Sequence, residues 1–126
     1  SLAYSRRYFA SSGMTAVYIP STLEIYRVVS AEVSYVQRLP GAVALSSGPR
    51  ATAEFLVQRS NALCRQVREA ALEAGAGFID ARPALRAAAQ QGLIHGPRDW
   101  NHLNKAGYQA LVAAILDQPN RDCTDL

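Results

Sequence analysis

The sequence predicts an α/β fold, in which helices flank a parallel β-sheet. Two short runs of β-branched and aromatic residues, 15–19 and 78–80, alternate with longer segments of helical periodicity. Strands that alternate with helices favour parallel pairing through crossover connections. The chain has 126 residues, so we expect a single domain over residues 1–126.

The first part of the chain predicts a helix and then a strand. Apolar residues recur at helical spacing over 2–11, and Ser11-Ser12-Gly13 supplies a stop. The run 15–19 ends at Pro20, as a buried strand does where it meets a loop. Residues 21–35 fit either a loop with a short helix or a strand, and this choice stays open.

The second part predicts three helices and one strand. An apolar stripe indicates a long amphipathic helix over 52–74, which Gly75-Ala-Gly77 ends. After the strand 78–80, Pro83 opens a helix that runs to about Gly92. Asn104 caps a last helix rich in alanine and leucine.

Composition and charge exclude several classes of function. Hydrophobic residues make up 49% and charged residues 18% of the chain, which is typical of a globular protein. The net charge is +3, but the arginines are scattered, so we expect no nucleic-acid partner. No apolar stretch approaches the length of a membrane span, so no membrane-spanning segment is predicted.

The two cysteines do not form a recognisable metal motif. Cys64 lies in the predicted long helix and Cys123 in a polar tail, without the spacing of a zinc site. Whether they form a disulfide stays open at this point. We predict no metal and no organic cofactor.

Asp99 and His102 are the residues whose spacing best suggests chemistry. An aspartate three residues before a histidine, in a turn ahead of a helix, allows the carboxylate to bind one imidazole nitrogen while the other faces a substrate. Such a pair acts as a general base. By spacing alone, a capped surface turn is the better explanation of the pair.

The whole string around this pair carries a resemblance to a known family. Asp99-Trp-Asn-His102-Leu-Asn104, followed by Gly107 and an Ala/Leu-rich helix, resembles the final conserved block of SGNH (GDSL-type) hydrolases. The resemblance spans about residues 15–117. It implies a three-layer α/β/α, flavodoxin-like fold, and it assigns Asp99 and His102 to a catalytic triad.

The same resemblance leaves the nucleophile unmatched. The family's Gly-Asp-Ser block does not occur here, and the serines considered stand in other contexts: Ser11, Ser12, Ser21, Ser46, Ser47 and Ser60. The expected function is therefore the C-terminal part of a serine ester hydrolase or O-acyl transferase, with its serine outside this chain. The alternative is a non-catalytic carbohydrate-binding or protein-interaction module of the same shape.

A second resemblance concerns the substrate. The run from Val17 to Tyr26 is similar to the Pro-containing strand end of alginate O-acetyltransferase-like proteins, although Thr22 stands where they carry lysine. It implies an acylated small molecule or polysaccharide as substrate, in the periplasm or cell envelope. Ordinary aromatic packing is the competing explanation for Tyr26.

Four further residues and one interface complete the expectations. Trp100 and Asn101 are candidates to line an acyl or sugar pocket, although Trp100 would equally cover the end of the sheet. Asp80 is expected to cap the helix that follows it, and the alternative is that it points into a site. His95 is expected to be a loop histidine without a role, and the alternative is that it replaces His102 as a base, although it lacks a carboxylate at matching spacing. An unpaired edge on the first strand would favour a homodimer.

Overall fold

The computed structural model describes Tyr4 and residues 12–30, 52–99, 101–117 and 122–124. The predicted helix over 2–11, apart from Tyr4, and the prediction for Trp100 lie outside these residues. The described elements are β1 (Thr15–Tyr18), α1 (Thr22–Val29), α2 (Ala53–Glu73), β2 (Gly77–Asp80), α3 (Arg82–Gln91) and α4 (Lys105–Asp117).

The two strands form a parallel pair. Thr15 is in register with Gly77, and Tyr18 with Asp80 at the carboxyl end. The predicted α/β class with parallel strands is therefore confirmed. Among the described residues the sheet has only these two strands, so β1 pairs along one edge.

Helix α1 settles residues 21–30 of the segment 21–35 that the sequence left ambiguous, and the rest of that segment lies outside the described residues. Ser21 and Glu24 form a capping box: Ser21 Oγ accepts from the Glu24 amide at 3.3 Å, and Glu24 Oε2 accepts from the Ser21 amide at 2.8 Å. These bonds satisfy two backbone donors at the start of the helix. The pattern of residues 22–29 is thereby helical, despite its valines.

Helix α2 begins and ends at the predicted residues to within one position. Thr52 Oγ1 accepts from the Phe55 amide at 3.1 Å. At the other end Gly75 has φ 67°, and the Gly75 and Ala76 amides donate to the Leu72 and Ala71 carbonyls at 2.9 and 2.8 Å. This is a Schellman motif, in which glycine adopts the left-handed conformation without a Cβ clash. None of the described helices, α2 included, has the length and apolar composition to cross a membrane.

Apolar side chains collect in two clusters that draw on alternate residues of the strands. Val17 contacts the first cluster, which joins α1, α3 and α4 and contains Tyr26, Leu85 and Ile94. Ala16 and Tyr18 contact the second, which lies on α2 and includes Phe78. Because successive strand residues face opposite sides, helices pack against both faces of the strand pair.

A disulfide between Cys64 and Cys123 lies in the second cluster. Both sulfur-bearing residues are fully buried, and the bond joins α2 to the tail that follows α4. The pairing that the sequence left open is thus present.

Candidate active site

Asp99 and His102 are in direct contact. The carboxylate oxygen Oδ2 of Asp99 binds Nδ1 of His102, and Oδ1 accepts from the Asn101 backbone amide at 2.9 Å. The second bond closes a turn of the type that aspartate favours. The predicted proximity of the two residues is confirmed.

The charge of Asp99 fixes the tautomer of His102. The hydrogen bond to His102, with the Asn101 amide in support, lowers the pKa of Asp99 below its usual value of 3.8. An ionised carboxylate can only accept hydrogen bonds, so the neutral imidazole must carry its proton on Nδ1. This leaves Nε2 with a free lone pair, which is the atom that a general base needs.

The pair lies at the surface. The side chain of His102 is 72% exposed and that of Asp99 51%. Among the described residues, Asp99 is the hydrogen-bond partner of His102, and no described serine binds it. The open side of the imidazole is therefore accessible to a group from outside the described residues.

A short antiparallel ladder holds the loop that carries the pair. We call residues 96–102 the Asp–His loop. At its base His95 and Leu103 form an antiparallel bridge, and the Gly96 amide donates to the Asp99 carbonyl at 3.2 Å. The residues on either side of the Asp–His loop, His95 and Leu103, are therefore paired with each other.

Asn104 ties this base to the start of α4. Its Nδ2 donates to the carbonyls of Leu93 and His95 at 2.8 and 3.2 Å, and its amide donates to the Ile94 carbonyl at 2.8 Å. Oδ1 accepts from the Gly107 amide at 3.1 Å, which caps the helix as predicted. The Asn104 side chain thus connects the segment 93–95 to the start of α4.

Tyr26 of α1 holds the same segment from the other side. Its hydroxyl oxygen accepts from the amides of Ile94 and His95 at 2.9 and 3.1 Å, and it lies 3.2 Å from His95 Nδ1. Two acceptor positions are then occupied, so the hydroxyl proton is directed to Nδ1. Burial lowers the pKa of His95, which keeps this ring neutral and able to accept.

His95 has structural contacts that the sequence-based expectation for a loop histidine did not include. The residue is 4% exposed, and its ring packs edge-on against Tyr26 with centroids 5.5 Å apart. The sequence contained no local signal for this contact, because the two residues are 69 positions apart.

Gly107, part of the string that resembles the family block, is required by close packing. A Cβ at this position would overlap the carbonyl oxygen of Ile94 and would lie 2.8 Å from Leu103 Cδ2. Helix α4 therefore approaches the ladder at a distance that only glycine permits.

A second polar cluster lies at the carboxyl ends of the strands, and sequence reasoning missed it. Arg82 is fully buried and makes paired bonds to Asp80, from Nε at 2.9 Å and Nη2 at 2.7 Å. Its Nη1 donates to Ser60 and Asn61 on α2 at 3.2 and 2.7 Å. Burial, with the Glu24 carboxylate in support, raises the pKa of Tyr18 beside this cluster.

This cluster is structural in its geometry. Asp80 Oδ1 also accepts from the Arg82 amide at 3.0 Å, but the N-cap of α3 is Ala81, so Asp80 binds the first turn from the position before the cap and is not the predicted cap. The ion pair satisfies the two buried charges. The bonds from Arg82 to Ser60 and Asn61 join this pair to α2. The signal that could have found it is the Asp-x-Arg spacing directly after a strand.

One group of described residues has the composition of a metal site. The ligand atoms of Cys64, Asp80 and Cys123 lie within 4.8 Å of one another. The sulfur atoms of Cys64 and Cys123 are bonded to each other, however, and the Asp80 carboxylate is paired with Arg82. In this state the group is a disulfide beside an ion pair.

The surface around the loop contains the remaining predicted site residue. Asn101 lies in the exposed turn next to Asp99, and its backbone, rather than its side chain, makes the bond described above. On α4, an open and mostly apolar groove of about 460 Å³ begins at Lys105, three residues after His102, and is lined by Lys105, Tyr108, Gln109 and Val112.

Comparison with known proteins adds no relative to this picture. No family model matches the chain, and neither a curated protein nor a solved structure is significantly similar to it.

Proposed function

We propose that this chain supplies the Asp–His half of a serine ester hydrolase or O-acyl transferase site of the SGNH type. The observation that carries the proposal is the contact between Asp99 and His102, with His102 Nε2 directed away from the carboxylate. The exposure of His102 supports a partner from outside the described residues, and we propose that this partner is a serine outside this chain.

The proposed reaction uses two acyl transfers. His102 Nε2 takes the proton of the serine hydroxyl as the serine oxygen attacks the ester carbonyl. Collapse of the tetrahedral intermediate breaks the ester C–O bond, and the imidazolium returns the proton to the leaving alcohol. Water or a sugar hydroxyl then repeats the sequence on the acyl-enzyme. Throughout, Asp99 holds the imidazole in the Nδ1–H tautomer and stabilises its positive charge.

The finer fold and substrate belong to the same proposal. The described strand pair, with helices on both faces, is compatible with one part of a three-layer α/β/α domain. The substrate class is an acylated small molecule or polysaccharide. Trp100 and Asn101, which lie between Asp99 and His102 in the sequence, are the proposed substrate-binding residues.

Turnover of p-nitrophenyl acetate tests this function. The assay compares this chain with the product of its complete reading frame, each also as His102→Ala and Asp99→Asn. We expect turnover only in the longer protein, with a loss of roughly 10²–10⁴-fold in kcat for either variant. Asp117→Asn, which removes an exposed carboxylate from the end of α4, is the matched control and should retain the activity.

A second candidate is a non-catalytic binding or interaction module. The observation that favours it is that no described serine binds His102. If the longer protein shows no turnover that depends on His102, the esterase proposal fails and this candidate takes its place.

A further inference from the structure

The catalytic pair is exposed, so its geometry depends on the backbone beneath it. Asp99 and His102 contact each other, and their side chains are 51% and 72% exposed. Packing by neighbouring side chains therefore contributes little to their alignment. The alignment must come from the ladder at the base of the Asp–His loop.

That ladder has an unusual hydrogen-bonding need. The Ile94 and His95 amides are consecutive, and both point to the hydroxyl oxygen of Tyr26. In a regular strand, consecutive amides point to opposite sides, so no single neighbouring strand could satisfy both. Both residues are buried, which makes the two donors costly to leave unpaired.

We propose that Tyr26 is a positioning residue for the Asp99–His102 pair. Its hydroxyl fixes the backbone at Ile94 and His95. The Ile94 carbonyl accepts from the Asn104 amide, and the His95–Leu103 bridge places the residue directly after His102. Gly96, which directly follows His95, donates to the Asp99 carbonyl. Both members of the pair are thus connected to Tyr26 through one or two backbone bonds.

The side chain of Tyr26 is suited to this task because it is itself immobilised. It is 5% exposed, and it packs in the cluster with Leu85, Ile94 and Ala114. Tyr26 lies on helix α1, which begins four residues after β1 ends. The bonds of Tyr26 therefore connect the Asp–His loop to a helix that directly follows the sheet. This inference relies on the proposed function only for the task it gives to the pair.

The test is the tautomer of His102, measured by long-range ¹H–¹⁵N correlation spectra of this chain at a pH where the imidazole is neutral. In the unmodified chain we expect His102 to carry its proton on Nδ1. Tyr26→Phe keeps the ring in the core and removes the hydroxyl. It should shift His102 toward the tautomer mixture of a free histidine. Tyr108→Phe, which removes an exposed hydroxyl from α4, is the control and should leave His102 unchanged.

A fold-stability effect alone would not move this readout. If Tyr26→Phe lowers the melting temperature but leaves the His102 tautomer as in the unmodified chain, Tyr26 is only structural and the inference is overturned. If Tyr26→Phe does not fold, the inference is tested instead by hydrogen exchange of backbone amides in the unmodified chain. Ile94 and His95 amides must exchange at least tenfold more slowly than that of the exposed Arg98, and equal rates would overturn the inference. Neither the His102 tautomer nor amide exchange depends on ester turnover. A failure of the proposed esterase function can therefore be distinguished from a failure of this inference.

Discussion

Gly107 determines how closely α4 can approach the base of the Asp–His loop. We expect Gly107→Ala to destabilise the chain by about 1–3 kcal/mol, because the added methyl group overlaps the Ile94 carbonyl oxygen. Urea denaturation measures the change. Gly13→Ala, at a glycine with no atom within 4 Å of the added Cβ, is the control, and an equal loss there would contradict the packing argument.

His95 makes stability depend on pH. Its pKa is lowered in the folded chain below the ordinary value of 6.5, because burial disfavours the charged ring. At a pH well above 6.5, His95 is neutral in both the folded and the unfolded chain. As the pH falls below it, the unfolded chain gains a proton that the folded chain resists, so the free energy of unfolding decreases.

This dependence can be isolated with His95→Asn, which keeps a side-chain acceptor near the position of Nδ1 but does not titrate. Between about pH 7.5 and about pH 5.5, we expect the unmodified chain to lose more stability than the variant in urea titrations. Asp99 does not contribute in this window, because its pKa is lowered and it stays ionised there. Parallel curves for the two proteins would refute the assignment to His95.

At the scale of elements, the capping box determines where α1 begins. Ser21→Ala removes the oxygen that accepts from the Glu24 amide and should cost about 1 kcal/mol. Because α1 carries Tyr26, the same variant should also increase amide exchange at Ile94. Ser12→Ala, at an exposed serine outside the described helices, should change neither quantity.

The elements that the sequence predicted well are those with local signals. Helix α2 has a long apolar stripe with Thr52 and Gly75 at its ends, and Asn104 marks the start of α4. Helix α1 was ambiguous because its valines also suit a strand, and the Ser21–Glu24 spacing was the signal not used.

The candidate site likewise contains local contacts, which the sequence can predict, and long-range contacts, which it cannot. Asp99 and His102 are three residues apart, so a turn motif could predict their contact. The bonds of Tyr26 to Ile94 and His95, and of Arg82 to Ser60, join residues more than twenty positions apart. Such contacts depend on how helices pack, and no periodicity along one segment encodes them.

At the scale of the whole molecule, the Cys64–Cys123 disulfide restricts the unfolded chain. It closes a loop with a sequence separation of 59, for which chain entropy predicts a contribution of about 4 kcal/mol. We expect dithiothreitol to lower the urea midpoint of the chain by the corresponding amount. The double variant Cys64→Ala/Cys123→Ala should resemble the reduced chain and should not respond to the reductant. A midpoint that dithiothreitol leaves unchanged in the unmodified chain would contradict the bond.

The same disulfide encloses β2, α3, the Asp–His loop and α4 within one covalent ring. A protease that cuts the exposed turn around Arg98 would therefore not separate the two products, since the bond still joins them. The nicked molecule would migrate as one species on a denaturing gel without reductant and as two with it. After a cut that follows Arg98, Asp99 and His102 would both belong to the C-terminal product. The residues that anchor the loop would be divided, with Tyr26 and His95 in the N-terminal product and Asn104 in the C-terminal one.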